Sequence, residues 1–113
     1  MSGFGDYIAA RRKALKLTQK EVAARIKKED GVAISDQYLN DVEHERRKAP
    51  PDRLLEQLGT VLNIPADVLY YLAERMPPDF KRPNMPEERI LAAYEAFRRE
   101  LGNPTKKKHP QSR

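Results

Sequence analysis

Apolar residues recur along this chain at helical spacing, in short stretches separated by polar turns. Phe4, Tyr7, Ile8, Ala14 and Leu15, with Arg11, Arg12 and Lys13 between them, predict an amphipathic first helix over residues 4–16. Thr18 followed by Glu21 is the capping-box pattern, so a second helix begins there and runs through Val22, Ala23 and Ile26. The charged run Lys27–Asp30 and then Gly31 break that pattern. Ser35 restarts it as the N-cap of a third helix, with Leu39, Val42 and Tyr38 inward and Asp36, Gln37, Asn40, Asp41 and His44 outward.

The pattern resumes after the helix-blocking pair Pro50 and Pro51. Residues 52–62 predict a fourth helix with Leu54, Leu55, Leu58, Val61 and Leu62 inward. Asn63, Ile64 and Pro65 form a turn, and Pro65 or Ala66 opens a fifth helix through Val68, Leu69, Leu72 and Ala73, ending near Met76. The Tyr70 and Tyr71 pair reads as a packing edge. Residues 76–85 hold three prolines and read as a linker. Pro86 starts a last helix, with Glu87 and Glu88 at its positive end and Gly102 and Pro104 stopping it. Its stripe Ile90, Tyr94, Phe97 and Leu101 is narrow and has coiled-coil spacing. One helix cannot bury such a stripe alone, so it packs back on the bundle or against a second copy, and the spacing favours the second copy.

The architecture expected is therefore all-α: a five-helix domain over residues 1–76, a Pro-rich linker and C-terminal amphipathic helix over 77–104 that acts in dimerisation, and a basic disordered tail over 105–113. Composition changes this picture little. Without cysteine there is neither a disulfide framework nor a thiolate metal site, and two distant histidines cannot form a zinc site alone. No cofactor is implied. The opening residues MSGFGDYIAARRK lack the apolar run of a signal peptide, and no stretch is long enough to span a membrane, so a cytoplasmic, nucleoid-associated protein is the simplest account. The net charge of +5 points toward nucleic acid, yet Lys106, Lys107, Lys108 and Arg113 in the tail supply most of it. The location of basic groups within the folded part carries more weight than the total.

That location is informative. Arg46, Arg47 and Lys48 directly follow the third helix, placing phosphate-binding groups beside its amide-rich outer face. Gln and Asn carry a donor and an acceptor on one planar group, which matches the adenine edge in a DNA major groove. An enzyme is not expected: there is no Gly-rich phosphate loop, and His44 has Glu43 and Glu45 beside it only in sequence, on different faces of a helix.

Three segments together, LTQKEVAARI, ISDQYLNDVEHERR and LLEQLGTVLNIPADVLYYL, resemble the Cro/repressor-type (XRE) helix-turn-helix family over about residues 4–76. The resemblance implies a five-helix domain whose third helix enters the major groove, usually as a dimer on a two-fold operator. It places Asp36, Gln37, Asn40 and Asp41 at the base-reading positions. Thr18, Gln19, Lys27, Lys28, Ser35, Tyr38, His44, Arg46, Arg47 and Lys48 are the candidate phosphate contacts. Ile90, Tyr94, Phe97 and Leu101 are the candidate dimer contacts. The function expected is a sequence-specific, dimeric transcriptional repressor bound to double-stranded DNA, with a protein co-regulator as a further partner. The alternative is an antitoxin or anti-regulator whose C-terminal helix clasps another protein.

Three departures from the family pattern stand out. Residues 27–33 make a longer connection than the family's tight Gly-containing turn, which would tilt the recognition helix or add phosphate contacts through Lys27 and Lys28. Glu45 stands where the family often has the helix-ending glycine, so the third helix is expected to run on or to end without a left-handed cap. Asp36 and Asp41 put two carboxylates near phosphates, where they accept from cytosine, cap the helix, or pair with a cation; capping or pairing is the better fit.

Overall fold

The computed structural model describes residues 3–102. Among them are six α-helices and no strand: α1 (Phe4–Ala14), α2 (Gln19–Ala24), α3 (Asp36–Glu43), α4 (Asp52–Leu62), α5 (Ala66–Leu72) and α6 (Glu87–Leu101). The chain divides into two compact units, Met1–Pro78 and Asp79–Arg113. The expected basic tail, with Lys106–Lys108, His109 and Arg113, and the stop at Pro104 lie outside the described residues.

The core of the first unit is aliphatic. Ile8, Val22, Ile26, Leu39, Val42, Leu55, Leu58, Leu62 and Leu69 are buried, and Tyr70 closes one side with its hydroxyl donating to Glu56 Oε2 at 2.7 Å. Local chemistry sets where the helices start. Thr18 Oγ1 accepts from Glu21 N at 3.0 Å while Glu21 Oε1 accepts from Thr18 N at 2.8 Å, completing the capping box. Ser35 Oγ accepts from Tyr38 N at 3.0 Å. Asn63, left-handed at φ 58°, ends α4 and turns Ile64 back over Gly59.

The structure corrects two details of the sequence reading, at the ends of α1 and α3, and gives form to another. First, α1 stops at Ala14, and Ala14 and Leu15 are exposed rather than inward. Lys16 at φ 61° redirects the chain, so that Leu17 takes the place against the core expected of Leu15. Second, the connection from α2 to α3 is an ordered miniature hairpin. Lys28 N donates to Val32 O at 2.9 Å and Ile34 N to Ile26 O at 2.9 Å around a bridge between Lys27 and Ala33, with Gly31 at φ 86° in the turn. Gln57 of α4 holds it from below, accepting from Lys27 N at 2.7 Å and donating to Lys27 O at 2.8 Å. The extra length is thus stapled to the bundle. Third, α3 neither runs on nor lacks a left-handed cap: it ends at Glu43, and Glu45 itself adopts φ 60°. Its carboxylate then accepts from Gly5 N at 3.1 Å. Since α1 begins after Gly3, which has no side chain to cap it, Glu45 satisfies a backbone donor in the first turn of another helix.

A 3₁₀ turn (Pro78–Phe80) spans the boundary of the two units, and in the second unit the fifteen residues of α6 include none that is buried. Glu87 and Glu88 lie in its first turn and Arg98 and Arg99 in its last, each complementing the helix dipole.

Candidate nucleic-acid interface

The seat of α3 is built on a charge. Glu43 falls four residues after Leu39 and one after Val42, on the apolar stripe, and its side chain is only 3% exposed. An unpaired carboxylate there would be prohibitively costly. Arg12 of α1 answers it with two parallel bonds, Nε to Oε2 at 2.7 Å and Nη2 to Oε1 at 2.9 Å. Its third nitrogen, Nη1, donates to Leu17 O at 3.0 Å and closes the turn into α2. The bond to Glu43 holds the guanidinium pKa above its ordinary value, more than offsetting the loss of hydration. Gly5 permits the close approach: a Cβ on it would strike the Glu43 backbone carbonyl and lie 2.7 Å from Val42 O. Neither Arg12, Glu43 nor Gly5 was marked as part of the site by sequence pattern. The available signal was an acidic residue at a core-facing position.

From this seat the network reaches the outer face. Gln19 Nε2 donates to Glu43 Oε1 at 2.9 Å and to Asn40 Oδ1 at 3.0 Å. Both amide N–H groups are engaged there, so a phosphate at α2 would meet the backbone of Gln19 rather than its side chain. Gln37 Nε2 donates to Asp41 Oδ1 at 3.0 Å, and Arg46 Nε approaches the same oxygen at 3.3 Å. Asp41 is therefore paired with a cation, while Asp36 is exposed in the first turn of α3. His44, the C-cap, approaches Asn40 O through Nδ1 at 2.9 Å; because a carbonyl only accepts, the proton sits on Nδ1.

The Arg47 guanidinium lies 5.1 Å from the centroid of the half-buried Tyr38 ring, a cation–π contact that presents the charge in a defined place. Burial pushes the Tyr38 phenol up from its ordinary value, opposed by the charges of Arg47 and Arg75. Lys48, Lys27 and Lys28 are exposed, and their ammonium groups make no ion pair among the described residues. Thr18 and Ser35 are exposed at the N-caps of α2 and α3 with their hydroxyls used in capping. The structure thus gathers Gln19, Gln37, Asn40, Asp41, His44 and Arg46 into linked contacts around α3.

Two helices joined by a compact connection and braced by three others, the second presenting amides outward beside a basic run, define a helix-turn-helix DNA-binding domain. The family model described as "Helix-turn-helix" matches residues 8–69, more than half of the chain. The chain belongs to the Cro/repressor-type (XRE) helix-turn-helix family, and is a DNA-binding transcriptional regulator. The comparisons with curated proteins and with solved structures return no match. Among the described residues, no helix is long and apolar enough to cross a membrane.

Proposed function

We propose that this regulator is a sequence-specific, dimeric repressor that lays α3 in the major groove of a two-fold operator and occludes a promoter, acting in the cytoplasm at the nucleoid. The observation that carries this reading is the amide-bearing outer face of α3, fixed from beneath by the Arg12–Glu43 pair and flanked by Arg46, Arg47 and Lys48. Gln37 and Asn40 discriminate bases, Asp41 orients Gln37 and Arg46, and the basic residues hold phosphates that set register and most of the affinity.

The second copy is recruited by α6. Ile90, Tyr94, Phe97 and Leu101 expose 44–49% of their surface along one face. An antiparallel partner helix would bring Ile90 opposite Leu101 and Tyr94 opposite Phe97, and would set the acidic first turn of each copy against the basic last turn of the other. A parallel partner would stack acid on acid. On this reading the DNA-binding unit runs through about residue 76, and a linker then leads into the assembly helix α6, which ends at Leu101.

Selection of binding sites from random duplex DNA, followed by titration of Gln37→Ala and Arg47→Ala, tests the reading. A two-fold motif with half-sites about one helical turn apart is expected. Gln37→Ala should relax preference at one base pair, whereas Arg47→Ala should weaken every sequence and flatten the salt dependence. Absence of an enriched motif, or binding untouched by both substitutions, would overturn it. Sizing checks the dimer: a concentration-independent monomer that pairs only with a co-purifying protein would favour an antitoxin-like role instead.

A further inference from the structure

Hydrogen-bond polarity runs in one direction from the buried ion pair to the surface of α3. The Glu43 carboxylate only accepts, and Arg12 donates to both of its oxygens. Gln19 must therefore turn its NH₂ toward Glu43 Oε1, because the flipped amide would set oxygen against oxygen at 2.9 Å. The second hydrogen of the same nitrogen goes to Asn40 Oδ1 at 3.0 Å. A flipped Asn40 would then face Gln19 donor to donor. So Asn40 keeps its oxygen inward, and its Nδ2 makes no hydrogen bond among the described residues.

We propose that Gln19 is a positioning residue that makes Asn40 a donor-only reader, directed at the acceptor-only guanine edge, O6 and N7, rather than at adenine. This inference rests on α3 lying in the major groove. An unconstrained asparagine presents a donor beside an acceptor and fits adenine N7 and N6; with its oxygen held by Gln19, Asn40 offers two N–H groups and no acceptor. Gln37 differs in the way that matters. It donates one hydrogen to Asp41 Oδ1 and retains Oε1 and a second N–H, the pair that adenine requires. Two amides on one helix face thus read different bases because their inner partners differ.

The test is site selection from random duplexes with the full chain, comparing the unsubstituted protein with Gln19→Ala, Asn40→Asp and Gln37→Ala, each checked for folding by circular dichroism. The unsubstituted protein should select guanine at one position in each half-site. Gln19→Ala frees the Asn40 amide to rotate, so guanine preference at that position should fall roughly tenfold in favour of adenine while other positions hold. Should Gln19→Ala fail to fold, Asn40→Asp decides alone: it still accepts from Gln19 but presents oxygen outward, and should move the preference from guanine to cytosine through its N4 donor. Guanine retained in Gln19→Ala, or Asn40→Asp weakening all sequences equally as loss of a phosphate contact would, overturns the inference. No enriched motif with the unsubstituted protein, or no effect of Gln37→Ala, would instead remove the groove reading beneath it.

Discussion

Helices α3 and α6 are both amphipathic, yet they are held in opposite ways. The eight residues of α3 are capped at Ser35, buried at Leu39, Val42 and Glu43, and tied by Glu43 to both α1 and α2. The fifteen residues of α6 bury nothing. A helix of that length is marginal in water without packing, so the proposed second copy would support α6 from outside, whereas α3 is supported by what lies beneath it. Damage under α3 should therefore appear as lost folding and, on the proposed dimer, damage to the face of α6 as lost assembly.

The largest effect should come from Glu43→Ala. It strands the Arg12 guanidinium, only 11% exposed, without its counter-charge, and should cost about 3–5 kcal/mol in urea unfolding, with DNA affinity falling alongside. Replacing the pair together, Arg12→Met with Glu43→Leu, should recover most of that stability, because apolar packing removes the desolvation cost. On the other side of the comparison, Tyr94→Ala with Phe97→Ala should leave the unfolding of the first unit within about 0.5 kcal/mol while shifting the sizing profile to monomer. A stability loss of similar size from both sets would show that the two helices are not held differently.

Gly5→Ala should follow in magnitude. The added methyl has the backbone of Glu43 and Val42 before it, which cannot yield as a side chain would, so a loss of about 1–3 kcal/mol is expected in the same assay. The equivalent small-to-larger change on α6, Ala92→Val at an exposed position, should remain within about 0.5 kcal/mol.

What could be read from sequence divides along similar lines. The caps Thr18 and Ser35 were legible because their partners lie three residues away, and the inward leucines of α4 because periodicity is local. The all-α plan and the family followed from such short-range signals. Glu43 was not legible as the anchor, because its burial depends on Arg12, thirty-one positions distant. The extra length at residues 27–33 was legible, but its folding into a hairpin was not, since its staple, Gln57, comes from α4. Of the candidate site, the residue types on the face of α3 were legible. Which of their polar atoms are already engaged within the fold was not, because that depends on Gln19 and on side-chain polarity.

Alkaline titration gives a smaller, graded effect. Tyr70 is buried in the first unit, and burial, together with its bond to Glu56, pushes its phenol well above the ordinary 10.0. Below pH 10 both folded and unfolded states keep the proton. As pH rises past 10 the unfolded chain releases it first, so stability should fall by up to about 1.4 kcal/mol per pH unit until the folded phenol titrates. Tyr70→Phe should remove most of that slope, leaving the smaller part carried by Tyr38, whose phenol is also pushed up by burial. An unchanged slope in the variant would show that another group carries it.

The smallest expected effect concerns the end of α3. Glu45 holds a left-handed conformation that costs a non-glycine residue about 1 kcal/mol, and in return its carboxylate caps the first turn of α1 through Gly5 N. Glu45→Gly relieves the backbone but loses the acceptor, so the two terms oppose and net stability should change by less than about 1 kcal/mol. Glu45→Ala loses the acceptor and keeps the strained backbone, so it should fall about 1 kcal/mol below the glycine variant in urea unfolding. The gap between the two variants measures the backbone term alone. If alanine and glycine proved equally stable, the left-handed turn at Glu45 would not be the constraint that ends α3, and the bond its carboxylate accepts from Gly5 N would have to account for the residue by itself.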